Sequence, residues 1–376
     1  MIPFNVPLIT GKEKPLLDEV LSLKKLCGDG SFTKKCHAWL ENFYQAPKAL
    51  LTTSCTHALE ISALLAGIEA GDEVIMPSFT FVSTANAFAL RGAKIVFVDV
   101  DPATMNMNAE KIESAITPRT KAIVPVHYAG VSCDMDSIMG IAAKHGLLVI
   151  EDAAQALQSF YKGKPVGKFG HLSCISFHET KNVHCGEGGA LVINEELFAE
   201  RAEIIREKGT NRSRFLRGQI DKYTWVDIGS SYLPSELNAA FLYAQLEESA
   251  SITQKRLAIW NSYYSKLSLL EKEGLINFAS IPAEVKHNAH MFYIKLKNIE
   301  QRQALISFLK ENGVQGTFHY VPLHSSQAGL QFGRFQGVDE YTTTESERLL
   351  RLPMHLNLDE AAVEKVCAEV TRFFKP

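Results

Sequence analysis

Between Ala49 and Asn194 the chain repeats a pattern that few folds can accommodate. Short apolar runs rich in Val, Ile and Leu alternate with longer stretches of helical periodicity. The runs are Ala49–Thr53, Glu73–Met76, Ile95–Val98, Ala122–Val126, Leu147–Ile150, Leu172–Phe177 and Ala190–Ile193. Most lack polar alternation, so each predicts a strand buried on both faces of a parallel or mixed sheet. Between them, Thr56–Ala66 places Leu59, Ile61, Leu64 and Leu65 on one side of a helix, with Gly67 to stop it. The pattern predicts a three-layer α/β architecture.

The C-terminal third has a different texture. Phe198–Lys208 reads as a charged helix leaving the sheet, and Gly209–Tyr232 is long and irregular, with Arg212, Arg214 and Arg217 close together. A segment of that kind in a compact protein is usually functional or covers an interface. From Pro234 a long helix runs past Glu248. Met291–Leu296 and Gly316–Val321 read as strands; Gln301–Glu311, Glu345–Leu350 and Glu360–Phe374 read as helices. With 376 residues the chain is long enough for two domains, and the expected division is a large domain over 1–250 and a smaller α+β domain over 251–376.

Composition narrows the functional classes. Lys and Arg number 39 against 42 Asp and Glu, without the basic excess of a protein that grips nucleic acid through phosphates. No apolar run reaches the roughly 18 residues of a membrane span, and Met1–Leu8 followed by Lys12 and Lys14 lacks the order of a signal peptide. The seven cysteines are an odd number with no C-x-x-C, the usage of reduced cytosolic thiols. A cytoplasmic protein is expected. His287 and His290 have a helix-like step but no further ligands to complete a zinc site, so no metal is expected.

In an open α/β sheet, ligands gather at the carboxyl ends of the strands. Those ends deliver Ser54-Cys55-Thr56 at a helix start, Phe81 after Pro77, Glu151-Asp152-Ala-Ala-Gln155, and Ser176-Phe-His178-Glu-Thr-Lys181. Each has a structural explanation when taken singly. Asp152, Ser54 and Thr56 can cap helices, Lys181 can be a solvated surface residue, and Phe81 can be core. One cofactor needs all four kinds of group. Pyridoxal phosphate asks for a helix start and hydroxyls around its phosphate, and for a carboxylate on its pyridine nitrogen. It also needs a lysine amine for its aldehyde and a flat surface for its ring.

With these residues in place, the sequence resembles the DegT/StrS-type sugar aminotransferases, pyridoxal-phosphate enzymes that aminate keto sugars carried on nucleotides. The resemblance runs over almost the whole chain. It includes Ile2-Pro-Phe-Asn5, Gly28-Asp-Gly30 with Phe32-Thr33, Glu73-Val-Ile-Met-Pro-Ser78 and Val126-His-Tyr-Ala-Gly130. It continues through Asp152-Ala-Ala-Gln155, Ser176–Lys181, Gly186-Glu-Gly-Gly189, Pro322-Leu-His324 and Leu352-Pro353. The family implies fold type I: a large domain with a mostly parallel seven-stranded sheet and a smaller C-terminal domain. It also implies a homodimer with the active site at the subunit interface.

Carried over by position, the resemblance makes Lys181 the lysine that joins the cofactor and shuttles the proton. Asp152 becomes the partner of the ring nitrogen, Gln155 a contact of the phenolic oxygen and Phe81 the stacking ring. Ser54, Cys55, Thr56 and Ser176 hold the phosphate. Ser231 stands where many relatives carry an Asn that reaches the partner subunit's phosphate. Arg212, Arg214 and Arg217 either pair with a substrate diphosphate or belong to a solvated, subunit-bridging loop. His178 and His324 are either sugar or cofactor contacts or hydrogen-bonded structural histidines. The subgroup implied acts on a dTDP-linked 4-keto-6-deoxyhexose with L-glutamate as donor. Amination at C3, a gluco product, a deoxygenating relative with His in place of the lysine, and a cofactor-binding regulator without turnover are the rivals; Lys181 argues against the third.

Overall fold

In the computed structural model, which describes residues 1–375, all seven apolar runs become strands of one sheet. They are Lys48–Thr52, Glu73–Pro77, Lys94–Val98, Thr120–Ile123, Leu148–Asp152, Leu172–Ser176 and Gly189–Ile193. Every residue of Glu73–Pro77, Leu172–Ser176 and Gly189–Ile193 is buried, as the absence of polar alternation requires. In space the order is 48–52, 189–193, 172–176, 148–152, 120–123, 73–77, 94–98 and 333–335. Only Gly189–Ile193 runs against its neighbours; the other pairings are parallel.

The last strand corrects the expected count of seven to eight. Gly333–Phe335 returns from the C-terminal third to pair with Ile95–Phe97 at the sheet edge. Three residues of mixed character carry no periodic signal. Gly333 is dictated by contact, because a Cβ there would stand 2.7 Å from the Phe97 ring and 2.8 Å from the Ile95 carbonyl oxygen.

Helices pack on this sheet. Cys55–Leu65 lies against the 172–176 and 189–193 strands. It begins where the Ser54 hydroxyl accepts the His57 N–H at 3.2 Å, and it buries Leu59, Ile61, Leu64 and Leu65. The long helix expected after Pro234 divides at Glu248 into Glu236–Glu247 and Ser249–Lys272.

A second core forms around Tyr263, Phe292, Ile294, Leu350, Val363 and Val366. Its four-stranded antiparallel sheet has the order 277–278, 292–295, 349–352, 317–318. Two expectations shift here. The strand read over Gly316–Val321 is Thr317–Phe318 alone. The helix read over Glu345–Leu350 is Thr342–Arg348, and Leu349–Leu352 is a strand facing Phe292–Lys295. Two adjacent leucines fit either period, and sheet pairing decides between them.

The two cores exchange segments. Ile2 bridges to Val314, and Gly333–Phe335 crosses the other way. Asp99, buried just beyond the 94–98 strand, accepts the N–H groups of Glu340 (3.0 Å), Tyr341 (3.1 Å) and Thr342 (2.8 Å). It thereby supplies, from one core, the cap for a helix of the other.

Candidate active site

The carboxyl ends of the strands open into a cavity of about 530 Å³. Ser54, Cys55 and Thr56 reach it from the helix after Lys48–Thr52, Phe81 from the loop after Glu73–Pro77, and Asp152 and Gln155 from the end of Leu148–Asp152. Ser176, His178 and Lys181 arrive from the end of Leu172–Ser176. One topological fact, that parallel strands point the same way, brings together residues up to 127 positions apart between Ser54 and Lys181.

Asp152 is the buried acid of the cavity. One oxygen accepts the Thr84 hydroxyl at 2.7 Å and the other the Ala154 N–H at 3.1 Å. Burial raises its pKa, against these hydrogen bonds and the nearby Lys181. A carboxylate so placed favours a cationic N–H partner, which is what a pyridine nitrogen becomes on protonation. Thr84 is itself held by Thr80 at 2.8 Å.

Lys181 lies across the same cavity. Burial lowers its pKa, and Arg351 pushes the same way, while Cys55 and Asp152 oppose them. The shift enlarges the free-amine fraction that can attack a carbonyl.

The start of Cys55–Leu65 forms a cradle for an anion. A helix leaves its first N–H groups without internal partners, and hydroxyls of Ser54, Thr56 and Ser83 surround these; Thr56 donates to Ser83 at 2.8 Å. Ser176 lies alongside and accepts the His178 N–H at 3.4 Å. Gly189 lets the neighbouring strand close on this turn, since a Cβ would sit 2.4 Å from the Cys55 nitrogen. Such a helix start with hydroxyls suits a phosphate.

The remaining walls are aromatic and polar. Phe81 is 58% exposed, with its ring 6.3 Å from that of Tyr320. Gln155 accepts the Ala129 N–H at 2.7 Å and donates to the Tyr320 hydroxyl at 3.3 Å. The His178 Nδ1 is paired with the Thr180 hydroxyl at 2.9 Å. Carboxylate, lysine, helix start and open ring face therefore fit pyridoxal phosphate in kind and in placement.

Five sequence candidates lie elsewhere. Ser231 is exposed and bridges Glu207. Arg212, Arg214 and Arg217 pair with Glu207 (3.1 Å), Glu200 (3.3 Å) and Glu203 (2.8 Å) of the preceding helical segment. His324 sits between Ser78 (2.7 Å) and Asp339 (3.2 Å), holding the loop that leads to Phe81. None of the five lines the cavity. Conversely, sequence reasoning missed Thr84, His319, Tyr320 and Arg351, all of which do, and weighed His290, which does too, only as a metal ligand. Arg351 carried a signal: a charge inside the apolar strand Leu349–Leu352.

Comparison with known proteins identifies the family. Residues 7–371 match the DegT/DnrJ/EryC1/StrS aminotransferase family. A "Pleiotropic regulatory protein" of Geobacillus stearothermophilus is 33% identical over 383 aligned positions, covering 99% of each chain. The aminotransferase TlmJ of Streptoalloteichus hindustanus superposes with a TM-score of 0.91 at 30% identity, covering 100% of this chain and 99% of its own. A Streptococcus pneumoniae protein assigned as a sugar aminotransferase, solved in a PMP form, superposes with a TM-score of 0.92 at 25% identity over 100% and 99%. Its PLP form matches equally well, at 0.91 and 26% over the same shares. No helix among the described residues is long and apolar enough to cross a membrane. The chain belongs to the DegT/DnrJ/EryC1/StrS aminotransferase family.

Proposed function

We propose that this chain is a cytoplasmic, pyridoxal-phosphate-dependent sugar aminotransferase. Its substrate is a dTDP-linked 4-keto-6-deoxyglucose, its product the galacto-configured 4-amino-4,6-dideoxyhexose, and its amino donor L-glutamate. The observation that carries the reaction class is the convergence of buried Asp152, Lys181 with its lowered pKa and the Ser54–Thr56 helix start on one cavity. The choice of sugar rests on segments that resemble dTDP-4-amino-4,6-dideoxygalactose transaminases: Leu26-Cys-Gly-Asp-Gly30, Ser176–Asn182, Arg206–Arg212 and Asp227–Tyr232. That resemblance also suggests a role in surface glycan synthesis, such as enterobacterial common antigen or lipopolysaccharide.

When bound, the cofactor supplies an aldehyde that takes up amines and a ring that accepts the electron pair left by a departing proton. The chain does the rest. Asp152 keeps the ring nitrogen protonated, and the Cys55 and Thr56 turn, with Ser54 and Ser176, holds the phosphate. Phe81 lies against the ring, and the Gln155 amide reaches its oxygen. Lys181 anchors the cofactor through its Nζ. Displaced by the donor, the same Nζ would take the proton from the donor's α-carbon and, in the second half-reaction run in reverse, would deliver a proton to the sugar C4, which as a ketone carries none.

The 209–232 segment joins a second copy in a homodimer. Its exposed Tyr223, Trp225, Val226 and Ile228 support this, as does the placement of Ser231 and the three arginines outside their own cavity. A second reading, a regulator without turnover, draws on the name of the Geobacillus relative. Incubation with 15N-labelled L-glutamate and dTDP-4-keto-6-deoxyglucose decides between them. Label in the sugar amine, with an axial C4 nitrogen by NMR, is the expected result and excludes a regulator without turnover; unlabelled sugar would overturn this pairing of donor and sugar.

A further inference from the structure

Arg351 faces the cavity with no acid beside it. Its strand opposes it to Tyr293 on one side and Thr317 on the other. The guanidinium lies over the Phe4 ring, 4.6 Å from its centroid, and its Nε is shielded from solvent with no hydrogen-bond partner. Arg256 shows the contrast. It too is buried without an acid, yet it donates to the carbonyls of Ala289 (3.0 Å), His290 (2.7 Å) and Met354 (3.2 Å). A guanidinium left open in partial burial is costly unless something fills it.

The surroundings indicate what that something is. Asp152 and Glu187 are the only acids lining the cavity among the described residues, and Asp152 is already engaged with Thr84 and Ala154. His290 and His319 line the same cavity as Arg351, and burial holds both neutral, so neither adds an anion or a competing cation there. The cavity therefore holds an unpaired guanidinium and an unmet demand for an anion. With one face covered by Phe4, the guanidinium presents an edge suited to a single planar carboxylate.

We propose that Arg351 binds a carboxylate of the amino donor, and of the 2-oxo acid formed from it. The assignment rests on the aminotransferase reading above and gives the donor a fixed point in the cavity that Lys181 lines. A nucleoside diphosphate is the other anion a sugar aminotransferase meets. It is bulkier, and a single half-buried edge in the same cavity as Lys181 favours the smaller acid.

The test is calorimetric titration of the cofactor-loaded protein with 2-oxoglutarate and, separately, with dTDP. Arg351→Met is expected to weaken 2-oxoglutarate about 10- to 100-fold, the span of one charge-assisted contact, and to leave dTDP within about twofold. Arg351→Lys keeps the charge without the fork, so a smaller loss is expected and the assignment stays testable if the Met variant folds poorly. Unchanged 2-oxoglutarate affinity in both variants, or a loss confined to dTDP, overturns it. A wild-type protein that binds no 2-oxoglutarate contradicts the choice of donor itself, and is recognised by that wild-type failure.

Discussion

The strand-end cavity and the 209–232 segment hold polar groups in opposite ways. In the cavity, Asp152 and Gln155 are buried and fixed by neighbouring hydroxyl and backbone groups at 2.7–3.3 Å. In the segment, Arg212, Arg214 and Arg217 reach back to glutamates of the preceding helical segment, the Arg214–Glu200 pair at the surface, while Trp225 stands 76% exposed. Surface ion pairs contribute about 0–1 kcal/mol, whereas a buried carboxylate commits its surroundings to a charge. The cavity is thus organised by its own chain, and the segment leaves Tyr223, Trp225, Val226 and Ile228 exposed.

Five variants press on that contrast. Lys181→Ala should reduce turnover by at least about 1,000-fold, removing both an anchor and a proton carrier, while the phosphate cradle retains the cofactor. Steady-state rates and the cofactor content after gel filtration would check both halves. Trp225→Asp combined with Ile228→Asp should turn a dimer into a monomer in sedimentation experiments and lower activity about 100-fold. A dimer that persists would place the subunit contact elsewhere. Asp99→Ala should cost about 3 kcal/mol or more of unfolding free energy, because it strands the N–H groups of Glu340, Tyr341 and Thr342. Chemical denaturation reads this directly.

Asp152→Asn tests the commitment to charge. The folded pKa of Asp152 is raised, so the folded state binds more protons than the unfolded chain as pH rises through the ordinary carboxylate range up to that raised value. Stability is lost over this window. The neutral amide should therefore make the cofactor-free protein no less stable at pH 7, with a flatter stability–pH curve above pH 4, while weakening cofactor binding. Marked destabilisation of the cofactor-free protein would contradict the account. Arg214→Ala, at the other extreme, should change the midpoint of unfolding by no more than about 0.5 kcal/mol equivalent.

Much of this was visible in the residues. The Cys55–Leu65 helix follows from Ser54, the leucine spacing and Gly67, and the 94–98 strand from Ile95–Val98. Asp152 and Lys181 meet because parallel strands deliver their ends to one edge, which needs no knowledge of contacts. Gly333–Phe335 escaped because a three-residue edge strand exists only through its partner, Ile95–Phe97. Tyr320 and Arg351 escaped because they approach the cavity from the second core, and the docking of two cores leaves no periodic trace. The arginine cluster was visible, but its direction was not. Glu200, Glu203 and Glu207 recur at the spacing of one helical face, the signal that these arginines turn toward their own helix.

The central claim is that one cavity holds the cofactor and passes an amino group from donor to sugar. Its most direct test is the visible spectrum of the purified, cofactor-loaded protein, recorded as L-glutamate and then dTDP-4-keto-6-deoxyglucose are added. A band from the lysine-bound cofactor is expected to fade with glutamate and return with the sugar. A band indifferent to both, or absent from protein reconstituted with pyridoxal phosphate, would contradict it.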